Sequence, residues 1–325
     1  MNKNIGYALA LIVALAAPFV GYPVFLMKLL CFALFACAFN LLIGFTGLLS
    51  FGHAAFFGGA GYVAGNALKN WGLPFELALL AGVGGAALIG LVMGALAIRR
   101  QGIYFSMITL ALAQMVYFGG LRFTNFTGGE DGLQGVPRGK LLGAVDLGND
   151  LTLYFVVLAI AVLGFMLIVR TVHSPFGQVL KAIKENEPRA ISLGYDVDKY
   201  KLMAFVLSAA LAGLAGATKT VVLGFETLTD VHWTMSGLVI LMTLVGGMGT
   251  LAGPILGAVL IIALENKLGD FGAFVATNTG IEWFNTLGEA VSMVTGLIFV
   301  ACVLAFRRGI VGEIVAFMGR KKKPA

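Results

Sequence analysis

The sequence predicts an all-α, polytopic helical membrane protein, and three observations carry that reading. Of the 325 residues, 59% are hydrophobic and 12% are charged, about half the charged share of a soluble domain. Mean hydropathy is +0.94, and the apolar runs are long and continuous rather than the short alternating segments of a β-barrel. The basic residues behind the net charge of +6 sit in short loops and a tail beside apolar segments, which is the pattern of membrane orientation and not of nucleic-acid binding. A soluble enzyme is excluded. At about 20 residues per span the chain has room for eight to ten crossings within one transmembrane domain over residues 1–325.

Windows of about 19 residues give apolar runs at Ile5 to Val20, Val24 to Ile43, Ala54 to Leu68, Leu77 to Ile98, Ile103 to Leu121, Leu151 to Val169, Leu202 to Leu223, Ser236 to Leu264 and Leu287 to Phe306. The first contains Ala14, Leu15 and Ala16, which imitate a signal-peptide cleavage site. Pro18 and the immediate start of a second run favour an uncleaved first helix. Cys31, Cys37 and Cys302 all fall inside apolar runs without CxxC spacing, so they read as small buried hydrophobes and neither a disulfide framework nor a zinc site is expected.

Placing the N-terminus, Arg99 and Arg100, the segment from Arg170 to Lys201 and the basic tail at 307–325 on the cytoplasmic side collects 15 of the 22 Lys and Arg there, against 5 outside. That bias orients the chain with both termini cytoplasmic. Lys28 and Lys219 fall within spans near their outer ends, where a long stem lets the ammonium reach the interface. Parity then requires Ser236 to Leu264 to cross twice or not at all. GGMGTLAGP at Gly246 to Pro254 interrupts that run, so it is read as two half-length or tilted helices, a broken or re-entrant pair beside about eight full spans. Gly249, Gly253 and Gly257 recur every four residues, as do Gly61 and Gly65, a spacing that lets helix backbones approach. Helix breaks at membrane depth are where transporters build their pathway. Thr46, Ser50, His53, Thr243, Gly246, Gly247 and Gly249 are the candidate path residues on that ground, and tight helix packing explains the same residues.

The most informative polar stretch is the loop at 170–201. Ser174 and Pro175 form a helix start, serine oxygen capping and proline fitting the first turn. Phe176, Val179, Leu180 and Ile183 then share one helical face while Gln178, Lys181 and Lys184 point away. Pro188 ends this helix at Asn186 or Glu187 and opens a second, which Gly194 stops. Two short amphipathic helices on the cytoplasmic side make a docking surface, or an interfacial helix in the headgroups. The loop at 122–150 is long for a bundle connection, and its TGGEDGLQGVP stretch exposes Glu130 and Asp131.

Three passages, NLLIGFTGLLSFGHAAFFGGAGY, SPFGQVLKAIKENEPRAISLGYDV and VGGMGTLAGPILGA, lie between residues 40 and 258. On these the chain resembles the permease subunits of ATP-binding-cassette importers, specifically the LivM-like subunit of branched-chain amino-acid importers. The resemblance implies an ABC-importer permease fold in a bacterial inner membrane. It also implies a second, LivH-like permease partner, two cytoplasmic ATPase subunits and an external substrate-binding protein. It assigns ATPase docking to the segment with Ser174, Pro175, Phe176, Val179, Leu180, Ile183, Glu187, Arg189 and Gly194, and binding-protein contact to Glu130 and Asp131. The family's docking loop reads Glu-Ala-Ala, three residues, Gly. Here Pro188 and Arg189 follow Glu187, and Gly194 falls one place late.

No nucleotide loop is present in the sequence: the Gly139–Lys140 pair is followed by Leu141, whereas a phosphate-binding loop needs Gly, four residues, Gly-Lys and a hydroxyl residue. The chain is therefore expected to be no enzyme and to bind no cofactor, with ATP and Mg handled by partner subunits. An ion-coupled secondary transporter would carry ionisable groups deep in its spans, but Lys28, Lys219 and Glu289 sit near predicted ends. A membrane hydrolase would need a nucleophile and base or a metal cluster, and His53 has no HExxH partner. Urea or short-chain amide import by the same architecture is the alternative that scaffold residues do not separate. For leucine, isoleucine or valine the expected path is a weak one, with selectivity in the binding protein.

Overall fold

A computed structural model describes residues 11–19, 21–143, 145–279, 291–305 and 309–313. Ile5 and Glu289, the residues from 314 onward and the ends of the first and last apolar runs lie outside the described residues. A helical segment at 11–16 and a 3-10 turn, Ala17–Phe19, lead into α1, Pro23–Thr46. Pro23 fits its first turn, and Gly47, at φ +76°, ends it in a left-handed conformation that a side chain would strain. There follow α2 (His53–Lys69), α3 (Phe75–Ala97) and α4 (Ile103–Arg122). The next run is α5 (Asp150–His173), α6 (Pro175–Glu185), α7 (Glu187–Ser192) and α8 (Val197–Leu223). The last are α9 (Trp233–Gly246), α10 (Gly253–Thr279) and α11 (Val291–Ala305).

Five of these, α1, α3, α4, α5 and α8, are long and apolar enough to cross a membrane. The helices coincide with the apolar runs, and the break inside Ser236 to Leu264 lies at 247–252 as the glycines dictate. The two pieces are unequal, however. At 1.5 Å per residue, the 14 residues of α9 span about 21 Å, while the 27 of α10 span about 40 Å. α10 is not half-length because no proline follows Pro254 within it, and Glu265, Asn266 and Lys267 continue a helix readily although they end an apolar window.

α1 and α8 form the centre. α1 is buried without interruption from Cys31 to Thr46, so it needs no amphipathic pattern and has none. α8 packs on α1, α2 and α3, and small residues set the approach: a Cβ on Gly216 would overlap the Phe57 carbonyl, and Gly213 lies against Ala86 and Ala60. Phe35 stacks on Phe57 at 4.4 Å between centroids. Cys31 and Cys37 are free, buried thiols, while the Cys302 side chain lies outside the described residues.

The long loop after α4 has structure of its own. A helical turn, Thr124–Thr127, and a 3-10 turn, Gly129–Asp131, precede β1 (Leu133–Gln134). β2 (Lys140–Leu141) pairs with β3 (Val145–Asp146) antiparallel, Lys140 opposite Asp146. β1 pairs antiparallel with β4 (Phe225–Glu226), Leu133 opposite Glu226. This loop and the one after α8 thus close over one end of the bundle, and α6 with α7 closes the other.

Candidate functional site

The three passages singled out in the sequence converge at the α6 end of the bundle. Asn40, one turn and a half before the end of α1, makes the junction with the 247–252 turn. Its Nδ2 donates to the Thr250 carbonyl at 2.8 Å, and its Oδ1 accepts from the Gly249 N–H at 2.9 Å. Both groups are backbone atoms of the turn joining α9 and α10, so one buried amide supplies what the missing helical turn cannot. Gly44 lets that turn come close, since a Cβ there would meet Asn40 and the Gly249 nitrogen. Asn40→Ala is expected to leave a buried donor and acceptor unpaired at about 1–3 kcal/mol; the purified protein should melt at a lower temperature in detergent. An unchanged melting point would mean that water replaces the side chain.

α6 is tied to the same place. Ser174 Oγ accepts from the Gly177 N–H at 3.3 Å, the helix cap read from the sequence. Lys184 Nζ donates to the Gly44 carbonyl at 2.7 Å, and Lys181 lies 5.8 Å from the centroid of the Phe45 ring. A cation over the C-terminal carbonyls of α1 is favoured by their partial negative charge. Asn186 caps α7 by accepting from the Arg189 N–H at 3.1 Å, and Gly194 stops it at φ +87°. Glu187 is held on both oxygens, by Lys201 at 2.7 Å and by Gln101 at 2.9 Å. Lys201 is buried, so this pair fixes α7 to the start of α8 and to the loop before α4.

The face of α6 assigned to docking by periodicity points the other way. Leu180 and Ile183 are buried within this chain. Ile183 clusters with Ala190 and Val197, flanked by Val179 and Tyr200, and Phe176 stacks on Tyr200 at 5.6 Å. An amphipathic pattern identifies the buried face of a helix without naming what buries it, and here the chain buries its own. Arg189 and Gly194 are exposed, Pro175 is exposed and Glu187 is partly so. Ile191, Leu193 and Tyr195 are apolar and exposed just beyond.

The candidate path residues are interior. His53 sits among the rings of Phe39, Phe56 and Phe205. Its Nε2 is 2.9 Å from Ser208 Oγ. Ser208 spends its proton on the Ala38 carbonyl at 2.6 Å, so the imidazole must donate from Nε2. Thr46 bonds the Leu42 carbonyl, Ser50 accepts from Gly52 N–H at 3.1 Å and Thr243 donates to the Val239 carbonyl at 2.9 Å. Gly246 and Gly257 press on the facing helix: a Cβ on either would overlap a backbone carbonyl across α9 and α10. Gly247 and Gly249 carry positive φ in the turn. Thr46 and Thr243 bond carbonyls of their own helices, while the buried His53 Nδ1 has no hydrogen-bond partner among the described residues; a groove of about 810 Å³ between α1 and α5 includes none of the candidate path residues.

At the opposite end, Glu130 and Asp131 lie side by side, exposed on their 3-10 turn. Below them is a cluster that the sequence reading missed. Lys219 is 4% exposed and does not reach an interface; it is paired with Asp230 and, at 3.3 Å, with Glu226. Thr220 bonds Glu226, and Thr227 Oγ1 donates to Asp230 at 2.9 Å. Burial pushes the Glu226 carboxyl up to about 8 from the ordinary carboxylate range, against the pull of Lys219. Lys28, by contrast, is half-buried, 5.9 Å from the Phe32 ring. The available signal was the spacing: a lysine four residues before the end of a span, with carboxylates 7 and 11 positions on, calls for a partner rather than solvent.

A family model described as "Branched-chain amino acid transport system / permease component" matches residues 22–308. The chain belongs to this permease family. Relatives of the permease include the high-affinity branched-chain amino acid transport system permease protein LivM of Salmonella typhimurium, 29% identical over 290 residues, covering 81% of this chain and 68% of that one. The LivM of Escherichia coli is 30% identical over 258 residues, 72% of this chain and 60% of that one. A probable LivH of Methanocaldococcus jannaschii is 29% identical over 162 residues, 49% of this chain and 46% of that one. The chain therefore spans roughly two thirds of the LivM relatives.

Proposed function

We propose that this chain is the membrane-spanning permease subunit of an ATP-driven importer for leucine, isoleucine and valine. The observation that carries the reading beyond family membership is the fastening of α6 to the end of α1 and to the 247–252 turn. A force applied to α6 and α7 is passed through Lys184 and Asn40 directly into the central helix and the α9–α10 pair. An ATPase pair on that surface would supply the force. No site for ATP is needed here, because ATP and Mg belong to those partner subunits.

On this reading α6, α7 and the termini are cytoplasmic, Glu130 and Asp131 face an external binding protein, and a second, LivH-like permease completes the pathway. The likeness to a protein named LivH supports a partner of the same fold. The chain would cross a bacterial inner membrane about eight times, with α9 and α10 as the paired segment. Contact with the ATPases is assigned to the exposed edge formed by Arg189, Ile191, Leu193 and Tyr195, in place of the inward residues Phe176, Leu180 and Ile183.

The test is the intact importer in proteoliposomes. ATP-dependent leucine uptake should require the binding protein, and urea should not be carried. Leu193→Asp should release the ATPase subunits from an otherwise folded permease, because an interface buries a lone carboxylate at a cost of several kcal/mol. Leu180→Asp should instead unfold the α6–α7 unit. Retained ATPase binding and uptake in Leu193→Asp would reject this docking edge, and urea uptake without leucine uptake would reject the substrate.

A further inference from the structure

Thr46, Ser50 and Thr243 are committed to backbone groups and His53 is enclosed by aromatic rings and Ser208, so the wall of the pathway is sought among faces that this chain leaves open. α3, α4 and α5 each present such a face. On α3 it consists of Leu77, Leu80, Gly84, Leu88, Leu91 and Leu96. On α5 it runs through Leu151, Phe155, Ala159, Leu163 and Met166 to Arg170 at the helix end. Both are apolar along the membrane-spanning length, as lipid requires.

α4 is different. It is the least buried and the least apolar of the five candidate spans. Its inward side is Phe105, Ser106, Thr109 and Ala113, where Ser106 donates to the Leu49 carbonyl at 2.7 Å. Its outward side carries Tyr104, Met107, Ala111, Met115 and Phe118, all exposed, which repeat at three- and four-residue intervals and so form one stripe. Gln114 borders the stripe at the middle of the helix, partly exposed, and among the described residues nothing hydrogen-bonds its amide. An amide left against lipid at that depth costs several kcal/mol. The two methionines are flexible, polarisable side chains that adapt to varied aliphatic shapes.

We propose that the Tyr104–Phe118 face of α4 is a wall of the translocation pathway, with Gln114 the hydrogen-bonding contact for the amino or carboxylate group of a passing aliphatic amino acid and Met107 and Met115 the surface for its side chain. The proposal rests on the import function set out above. It places the substrate on the outer face of the chain, toward a second permease, and makes the sequence-predicted residues at 46–53 and 243–249 the support behind the moving parts.

The experiment uses the whole importer with Cys31, Cys37 and Cys302 replaced by alanine. Met107→Cys and Met115→Cys should react with a membrane-impermeant maleimide at least about tenfold faster than Leu88→Cys and Leu163→Cys, and leucine should slow the reaction. Gln114→Leu should lower leucine uptake about tenfold while subunit assembly and ATPase activity stay intact, and Gln114→Asn should restore much of it. Position 115 reacting at the rate of position 163 would overturn the proposal, whether lipid or the second permease covers it. So would full leucine uptake in Gln114→Leu. If the unmodified importer carries some other solute and no leucine, the substrate assignment fails, while faster labelling at 115, slowed by that solute, still identifies α4 as the wall.

Discussion

Replacing Lys219 by methionine is expected to remove about 3–5 kcal/mol of stability, the usual result of stranding a buried carboxylate. Asp230, 5% exposed, would be left with only Thr227 to bond it, and Glu226 would lose the cation that opposes its burial. Lys219→Met combined with Asp230→Asn removes both members of the pair together and should recover most of the loss. Melting of the purified protein in detergent measures both. A single mutant as stable as the parent would mean that water enters the cluster. Glu226 contributes a pH effect of definite sign. Its carboxyl titrates higher when folded, to about 8, than when unfolded, so the folded state binds the extra proton between those values and stability falls as pH rises through that window. Glu226→Gln should flatten that slope.

Gly216→Val should be at least as damaging, by a route that has nothing to do with charge. α2 and α8 touch through backbone at this point, and a Cβ at 216 would stand inside the Phe57 carbonyl. Backbone cannot repack as a side chain can, so the helices must separate and the contacts of Phe57 with Phe35 and Phe32 loosen with them. We expect a loss beyond the 1–3 kcal/mol typical of overpacking, read as failure to accumulate in the membrane. Gly84→Val is the control: nothing lies near its Cβ position, and accumulation should stay normal. Equal yields from the two variants would disprove the backbone contact.

What could be read from the sequence is what periodicity and chain breakers encode. The helices of the core, the cap at Ser174, the stop at Gly194 and the interruption at 247–252 are local events, each decided by residues within a turn of it. Which way a face points is not local. Phe176, Leu180 and Ile183 were legible as a stripe, yet only the tertiary fold shows Tyr200 and Val197 waiting for them. In the same way, the sequence places Thr46, Ser50, His53 and Thr243 near the helix breaks without reporting the groups they bond: carbonyls of their own helices for Thr46 and Thr243, the Gly52 N–H for Ser50 and the Ser208 hydroxyl for His53. Asn40 and Lys184 were illegible for the converse reason: their partners are backbone atoms 210 and 140 positions away, and a backbone atom leaves no signature in the sequence.

The shortness of α9 bears on how the protein is made. A helix of about 21 Å falls short of the roughly 30 Å hydrocarbon layer, so as it leaves the ribosome it is a poor candidate for insertion alone. Its glycine contacts with α10 and the Asn40 clasp on the connecting turn exist only once α10 has emerged and α1 is in place. If α9 and α10 cross the bilayer as the paired segment proposed above, they are expected to enter as a unit, held by a helix synthesised some two hundred residues earlier. A truncation ending within α10 is then expected to accumulate in the membrane less than the full chain, which immunoblotting of membrane fractions would measure.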